Sequence, residues 1–431
     1  MKRKGLRVLV VGGGGREHAL VWKLAQSPRV GRLYAAPGNA GMADLATCLP
    51  VGATDLDGVV RAAREIEADL TVVGPDDPLA LGLVDRLQAE GLAAFGPTAA
   101  AARIESSKAF AKELMRRAGI PTARYEVFDD IEPARRHISA YFAQNPGRPL
   151  VMKADGLALG KGVLITGDES EALHMAGEML SGRAFGPAGR RIVVEEWLAG
   201  PEVSALAFTD GRSVLPMPGS RDHKRAYDGD EGPNTGGMGT ISPVADYGAG
   251  LAEQVRREVL EPAVAALQAA GTPFVGVLYA GLILTPEGPR VLEFNARFGD
   301  PETQVLLRRL DTDLMDLLEA CIERDLGDSR AEWSDDAAAC VVMASGGYPG
   351  AYQKGLPISG LEEAASLEGV VVFHAGTSRD HAGQLVTAGG RVLGVSATGA
   401  DLHSALDLAY RAVDQIAFPG AHCRRDLGRL R

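Results

Sequence analysis

Apolar residues along the first hundred positions fall into short buried-type runs separated by amphipathic stretches. Leu6-Arg-Val-Leu-Val-Val11 predicts a strand, and a glycine loop then leads into an amphipathic helix over Glu17–Ser27. Arg32–Ala36 predicts a second strand, closed by Pro37-Gly38-Asn39. A helix over 55–67, a strand over Asp69–Val73 ended by Gly74-Pro75, a helix over 79–90 and a strand over Leu92–Phe95 complete the series. This alternation predicts a parallel sheet with helices on both faces.

Gly96-Pro97-Thr98 marks a boundary, after which Ala99–Ala118 reads as one helix containing Lys108. A helix over 132–143, a strand over Pro149–Ala154, a glycine-rich loop Asp155–Gly162, a strand over Val163–Thr166, a helix over 169–180 and a strand over Arg191–Glu196 form an α+β unit. Long strand patterns span 203–218 and 276–295, with a polar loop over 219–242 and a helix over 251–270 between them. Positions 302–325 read as a helix and 327–336 as a connection. Strands over 339–343, 370–373 and 392–395 and a helix over 400–416 close the chain. The expected class is multidomain, α/β and α+β, divided at 1–104, 105–330 and 331–431.

The 431 residues carry a net charge of −11, which argues against a basic face for nucleic acid. Such a chain can still bind phosphorylated metabolites through local cations and helix N-termini. Cys48, Cys321, Cys340 and Cys423 form no C-x-x-C pair, so reduced thiols are expected. No signal-peptide pattern and no run of about 20 apolar residues is present, so the expected setting is the cytoplasm, away from membranes.

Three places carry candidate chemistry. Gly12-Gly-Gly-Gly-Arg-Glu-His18 follows a strand and opens a helix, a geometry that aims backbone N–H groups at an anion. It is a phosphate site, a tight turn or a dinucleotide loop. The dinucleotide reading is the weakest, because the third fingerprint position is Glu17 or His18 and no acidic residue ends the second strand. Lys153 ends a strand just before Asp155-Gly-Leu-Ala-Leu-Gly-Lys-Gly162, a loop able to fold over a triphosphate with Gly160, Lys161 and Gly162. The segment Glu195-Glu196-Trp197-Leu198, with Glu202 downstream, suits an adenine edge and ribose hydroxyls, or is an ordinary strand and turn. Arg290–Asn295 alternates as a strand, so Glu293 and Asn295 share a face with Val291, leaving Leu292 and Phe294 to a core. Two adjacent oxygen donors suit Mg²⁺. Arg297, Asp300 and Glu302 follow at once, and Arg297 can grip a carboxylate or phosphate.

Five motifs together resemble one family over nearly the whole chain: Gly12–Leu20, Pro37–Gly41, Asp222-His-Lys-Arg225, Gly232–Gly239 and Glu293–Glu302. That family is phosphoribosylamine–glycine ligase, also called glycinamide ribonucleotide synthetase. The resemblance implies an ATP-grasp fold with an N-terminal α/β domain, a lid at about 122–195, a catalytic domain and a C-terminal domain. It implies ligation of glycine to 5-phosphoribosylamine with ATP, the second step of de novo purine synthesis, by a monomer without nucleic-acid or membrane partners. It further implies Lys108 and Lys153 on the ATP phosphates, the Glu195–Leu198 backbone on adenine, Glu202 on ribose, and Glu293 and Asn295 on Mg²⁺ or Mn²⁺. Asp222, His223, Arg297 and Asp300 would serve glycine or its acyl phosphate. Gly13, Gly14, Gly15, Arg16, Glu17, Gly38 and Asn39 would serve the ribose phosphate. Leu159 and Asp76 depart from the family pattern, which has a smaller residue and a glutamate there. The competing expectation is another ATP-grasp ligase or carboxylase acting on a ribonucleotide.

Overall fold

A computed structural model describes residues 3–157, 162–184 and 189–429. Its first sheet is five-stranded and parallel, in the order Thr47–Cys48, Val30–Pro37, Leu6–Gly12, Leu70–Val73, Ala94–Phe95. Side chains of the central strand alternate between two cores. Leu6, Val8 and Val10 pack with Ala19 and Leu20 of helix Gly15–Leu24, while Leu9 and Val11 pack with Val59 and Ala63 of helix Leu56–Glu65. The expected helix over 79–90 is two pieces, Asp76–Ala80 and Leu83–Ala89, because Gly82 takes a left-handed φ of +87° between them.

The single helix expected over Ala99–Ala118 is likewise two, Ala99–Ser106 and Lys108–Ala118. Ser107 is extended, and its hydroxyl caps the second helix by accepting from the Phe110 amide at 3.1 Å. The break makes Lys108 the first residue of a helix rather than an interior one.

Strands Tyr125–Phe128, Ile192–Glu196, Leu150–Ala154 and Val163–Thr166 form an antiparallel sheet, in that order, covered by helices Ile131–Gln144 and Glu169–Leu180. Ile138, Met152, Met179 and Val194 fill its separate small core. A third sheet runs Val214–Pro216, Glu202–Asp210, Val275–Thr285, Gly288–Asn295, so the two long strand patterns of the sequence are both hairpins. The polar stretch 219–242 contains four short strands instead of a loop. Two of them, Arg221–Asp222 and Gly239–Ser242, extend the last sheet beside Ala337–Ala344, Arg391–Gly399 and Val370–His374. Helix 302–325 is interrupted into Thr303–Arg309 and Leu314–Glu323. Among the described residues no helix is long and apolar enough to cross a membrane.

One irregularity decides what the cleft contains. Gly281 pairs with Glu293 but Leu282 pairs with Val291, so Leu292 is an extra residue in its strand. The expected alternation is therefore wrong at this point. Val291 joins Phe294 in the core, and Leu292 turns to the cleft beside Glu293. Phe294→Ala is accordingly expected to lower stability by about 3–5 kcal/mol in urea unfolding. Leu292→Ala should cost about 1 kcal/mol or less. Equal losses would contradict the bulge.

Candidate active site

The antiparallel lid-like sheet, the hairpin sheet and the polar strands of 221–242 enclose a cleft of about 1310 Å³. Its lining includes Lys108, Lys153, Glu195, Leu198, Glu202, Asp222, Lys224, Glu293, Asn295, Arg297 and Asp300. Residues nearly two hundred positions apart in sequence thus meet around one space.

At one end, Asp155 ties the start of the 155–162 loop to the capped helix. Its Oδ1 accepts from the Ser107 hydroxyl at 3.0 Å and the Ala109 amide at 3.1 Å. Lys108 Nζ donates to the Gly156 carbonyl at 3.0 Å. The Gly162 carbonyl accepts from the Ala154 amide at 2.8 Å, which pins the far end of the loop. Gly160 and Lys161, with Leu159, lie outside the described residues. Lys153 Nζ donates to the Leu292 carbonyl at 2.9 Å and lies 3.1 Å from a Glu195 oxygen. Glu196 turns its carboxylate to Arg124, whose amide and Nε donate to it at 2.9 and 3.0 Å. The Glu196 amide donates to the Arg124 carbonyl at 3.0 Å, and Trp197 and Leu198 line the cleft beyond it.

Glu293 and Asn295 both face the cleft. Burial alone would raise the Glu293 carboxyl, but Lys224, Lys153, Lys108 and Arg297 together hold it below its ordinary value. Asn295 Oδ1 accepts from Arg297 at 3.0 Å. Among the described residues no group of three or more His, Cys, Asp or Glu could hold a metal. An ionised carboxylate with one amide oxygen fits a hard cation that draws its other ligands from phosphate and water.

Arg297 also pairs with Glu105 at 2.8 Å, and the other Glu105 oxygen accepts from the Ala296 amide at 2.7 Å. Glu105 sits in a plain helical stretch, and nothing in the sequence pointed to it. Lys224, 3.2 Å from Glu202, was within a recognised motif but received no role. Burial, then the neighbouring Glu302, raises the Asp222 carboxyl well above the ordinary value, and its Oδ1 has no hydrogen-bond partner. Asp300 is opposite: burial would raise it, but Arg391 and Arg16 hold it low. Arg391 comes from the last sheet, 3.3 Å from the Asp300 carboxylate, and was missed entirely.

His223 is already committed. Its Nδ1 lies 3.1 Å from the Gly239 carbonyl and its Nε2 accepts from the Gly428 amide at 3.2 Å. That pattern requires the neutral ring with its proton on Nδ1. The glycine loop is similarly self-sufficient. Glu17 accepts from the Gly14 amide at 2.7 Å and from Arg16 Nε at 2.6 Å. Asn39 donates to the Gly13 and His374 carbonyls and accepts from the Gly41 and Met42 amides, all within 2.8–3.0 Å. A side chain at Gly13 would meet the Gly38 carbonyl at 2.6 Å. Gly15 faces Gln304 and Asp300, and Arg16 is the member of this loop that lines the cleft.

A lid-like sheet over a second antiparallel sheet, with lysines on one wall and Glu293 on the other, is the ATP-grasp arrangement, the class that uses ATP and divalent metal ions to activate carboxylates. Residues 106–303 match the family model described as the ATP-grasp (A) domain of phosphoribosylglycinamide synthetase, with its N domain at 6–105 and its C domain at 338–430. Phosphoribosylamine–glycine ligases of Caulobacter vibrioides and Halalkalibacterium halodurans are 50% and 47% identical to this chain, covering 98% of it and 98% and 96% of their own lengths. The crystal structure of the Thermotoga maritima phosphoribosylamine–glycine ligase is 33% identical, covers 98% of this chain and 100% of its own, and superposes with a TM-score of 0.84. The chain belongs to the phosphoribosylamine–glycine ligase family. The biotin carboxylase domain of a Hydrogenobacter thermophilus 2-oxoglutarate carboxylase shares the fold, with a TM-score of 0.74 at 18% identity, over 97% of this chain and 92% of its own.

Burial pushes the His223 ring from its ordinary 6.5 down to about 4. Below about pH 6.5 the unfolded chain takes up a proton that the folded ring refuses, so folded stability falls as pH drops through that window. His223→Gln keeps both hydrogen bonds and should lessen that fall by about 1.4 kcal/mol per pH unit in urea unfolding between about pH 6 and pH 4.5. An unchanged slope would show that the ring titrates freely in the fold.

Proposed function

We propose that this chain joins glycine to 5-phosphoribosylamine, giving glycinamide ribonucleotide, ADP and phosphate through a glycyl phosphate intermediate. The observation that carries the reading is the convergence of Lys108, Lys153, Glu293, Asn295 and Arg297 on one cleft, in a chain about half identical to ligases of that name. We further propose division of the chain at 1–104, 105–330 and 331–431, with the lid at about 122–195; the sheet of Tyr125–Phe128 to Ile192–Glu196 supports the lid bounds, while strands Arg221–Asp222 and Gly239–Ser242 cross into the last sheet.

A glycine carboxylate resists attack because it is already anionic. Transfer of the ATP γ-phosphoryl group to a carboxylate oxygen releases ADP and leaves an acyl phosphate. The phosphoribosylamine nitrogen then attacks the acyl carbon, phosphate departs, and the amine proton is lost to solvent or a carboxylate. Positioning and charge neutralisation do most of this work. Lys153 and Lys108 serve the phosphates, with Gly160, Lys161 and Gly162 of the covering loop. The Glu195–Leu198 backbone takes adenine, and Glu202 takes ribose. Glu293 and Asn295 would hold Mg²⁺ or Mn²⁺, which when bound neutralises phosphate charge. Arg297, steadied by Glu105, orients the glycine carboxylate. Asp222 and Asp300 flank the acyl group, and His223 acts by fixing the strand that carries Asp222.

The ribose phosphate falls to the Gly13 and Gly15 amides and Arg16, since Glu17 already takes the Gly14 amide. Glu17, Gly38 and Asn39 shape that loop rather than touch ligand. Substrates are therefore small molecules, and the four free thiols fit a cytoplasmic setting. Asp76 lines the same cleft, so its shorter reach is compatible with substrate contact.

ADP release assayed with freshly made phosphoribosylamine, omitting each substrate in turn, tests the reading. Release should need glycine, and chelation of divalent metal should stop it. Dependence on a different carboxylate or on bicarbonate would indicate another ATP-grasp ligase or carboxylase. Glu293→Ala should abolish ligation with the circular dichroism spectrum retained. Near-normal turnover in that variant would remove the metal assignment.

A further inference from the structure

Lys112 belongs to none of the motifs above, yet it is only 2% exposed. It stands one turn beyond Lys108 on the same helix. Its Nζ donates to Thr122 Oγ1 at 2.7 Å and to Glu195 Oε2 at 2.8 Å. Thr122 passes the link on, donating to the Val291 carbonyl at 2.6 Å. On the cleft side of the same carboxylate, Lys153 Nζ lies 3.1 Å from Oε1 and 3.2 Å from Oε2. All three side chains are buried.

A buried ammonium carries a heavy desolvation cost, and a well-packed apolar side chain would commonly be the more stable choice. Burial lowers the Lys112 ammonium to about 8, and Glu195 is the main group opposing that fall. The chemistry of the trio explains what the lysine is for. Two lysines share one carboxylate, so the group carries a formal surplus of one positive charge on the wall facing the nucleotide. Without Lys112, Glu195 and Lys153 would form a closed neutral pair, and drawing Lys153 toward a phosphate would strand a buried carboxylate.

We infer that Lys112 is a positioning residue for nucleotide binding: it takes up the Glu195 carboxylate so that Lys153 can turn to the triphosphate while Glu195 stays compensated. This rests on the reading of Lys153 as a phosphate ligand. It makes Glu195 a two-part residue, its backbone serving adenine and its side chain serving charge balance.

The test follows the charge of the trio. Lys112→Met makes it neutral, and the KM for ATP should rise at least about tenfold, the scale of one charged hydrogen bond, with the KM for glycine unchanged. Lys112→Met combined with Glu195→Gln restores the single positive charge and removes the stranded carboxylate, so the KM for ATP should return close to that of the native enzyme. A merely structural lysine would not produce that rescue. A native KM for ATP in Lys112→Met overturns the inference. So does a folded double variant whose KM stays raised, and that variant alone decides the matter if Lys112→Met does not fold. Calorimetric affinities for a non-hydrolysable ATP analogue in the same proteins read the trio without turnover. Failure of glycine-dependent ADP release would thus overturn the proposed reaction, while the order of those affinities would still decide the role of Lys112.

Discussion

The strand Gly288–Asn295 holds the cleft together because one extra residue breaks its alternation. With Leu292 bulged, Val291 and Phe294 both enter the core and anchor the strand, while Leu292, Glu293 and Asn295 all line the cleft. The bulge also aims the Leu292 carbonyl at Lys153, at 2.9 Å, across the seam between the lid-like sheet and the hairpin sheet. A regular strand would have buried one of those cleft groups or exposed one of those core groups.

Around that strand, charge compensation governs which side chains are available to a ligand. Glu105 holds Arg297, Glu202 holds Lys224, Glu195 is shared by Lys112 and Lys153, and Arg391 holds Asp300. Each of these buried charges has a partner, as a low-dielectric site demands. Groups whose every valence is already used, such as His223 and Asn39, stabilise geometry. Groups with an open valence, such as Asp222 Oδ1, are left unsatisfied on the cleft wall.

The C-terminal region is part of the site. Strands Arg221–Asp222 and Gly239–Ser242 leave the middle of the chain to pair within the sheet of Ala337–Ala344. Arg391 then reaches back to the Asp300 and Gly236 carbonyls. The segment from Gly229 is fastened from the chain end, where Asp426 accepts from the Gly229 amide at 2.8 Å.

The hydrophobic spacing of the chain determined most elements, because periods of two and near four directly record which face is buried. Leu6–Gly12 and Glu169–Leu180 are examples read nearly to the residue. The shared cleft face of Glu293 and Asn295 was equally legible, because the pairing is regular between them. Helix breaks at Ser107 and Gly82 were not, since a cap or a left-handed turn competes with helix propensity only marginally. The four short strands of 219–242 were hidden because their sequence is polar and short, and because Gly239–Ser242, which ties two of them to the last sheet, pairs with a strand a hundred residues away. Tertiary structure alone decided the bulge at Leu292 and the partnerships of Lys112, Glu105 and Arg391. A buried ion pair is set by which distant carboxylate a cation meets, and a single residue carries no record of that meeting.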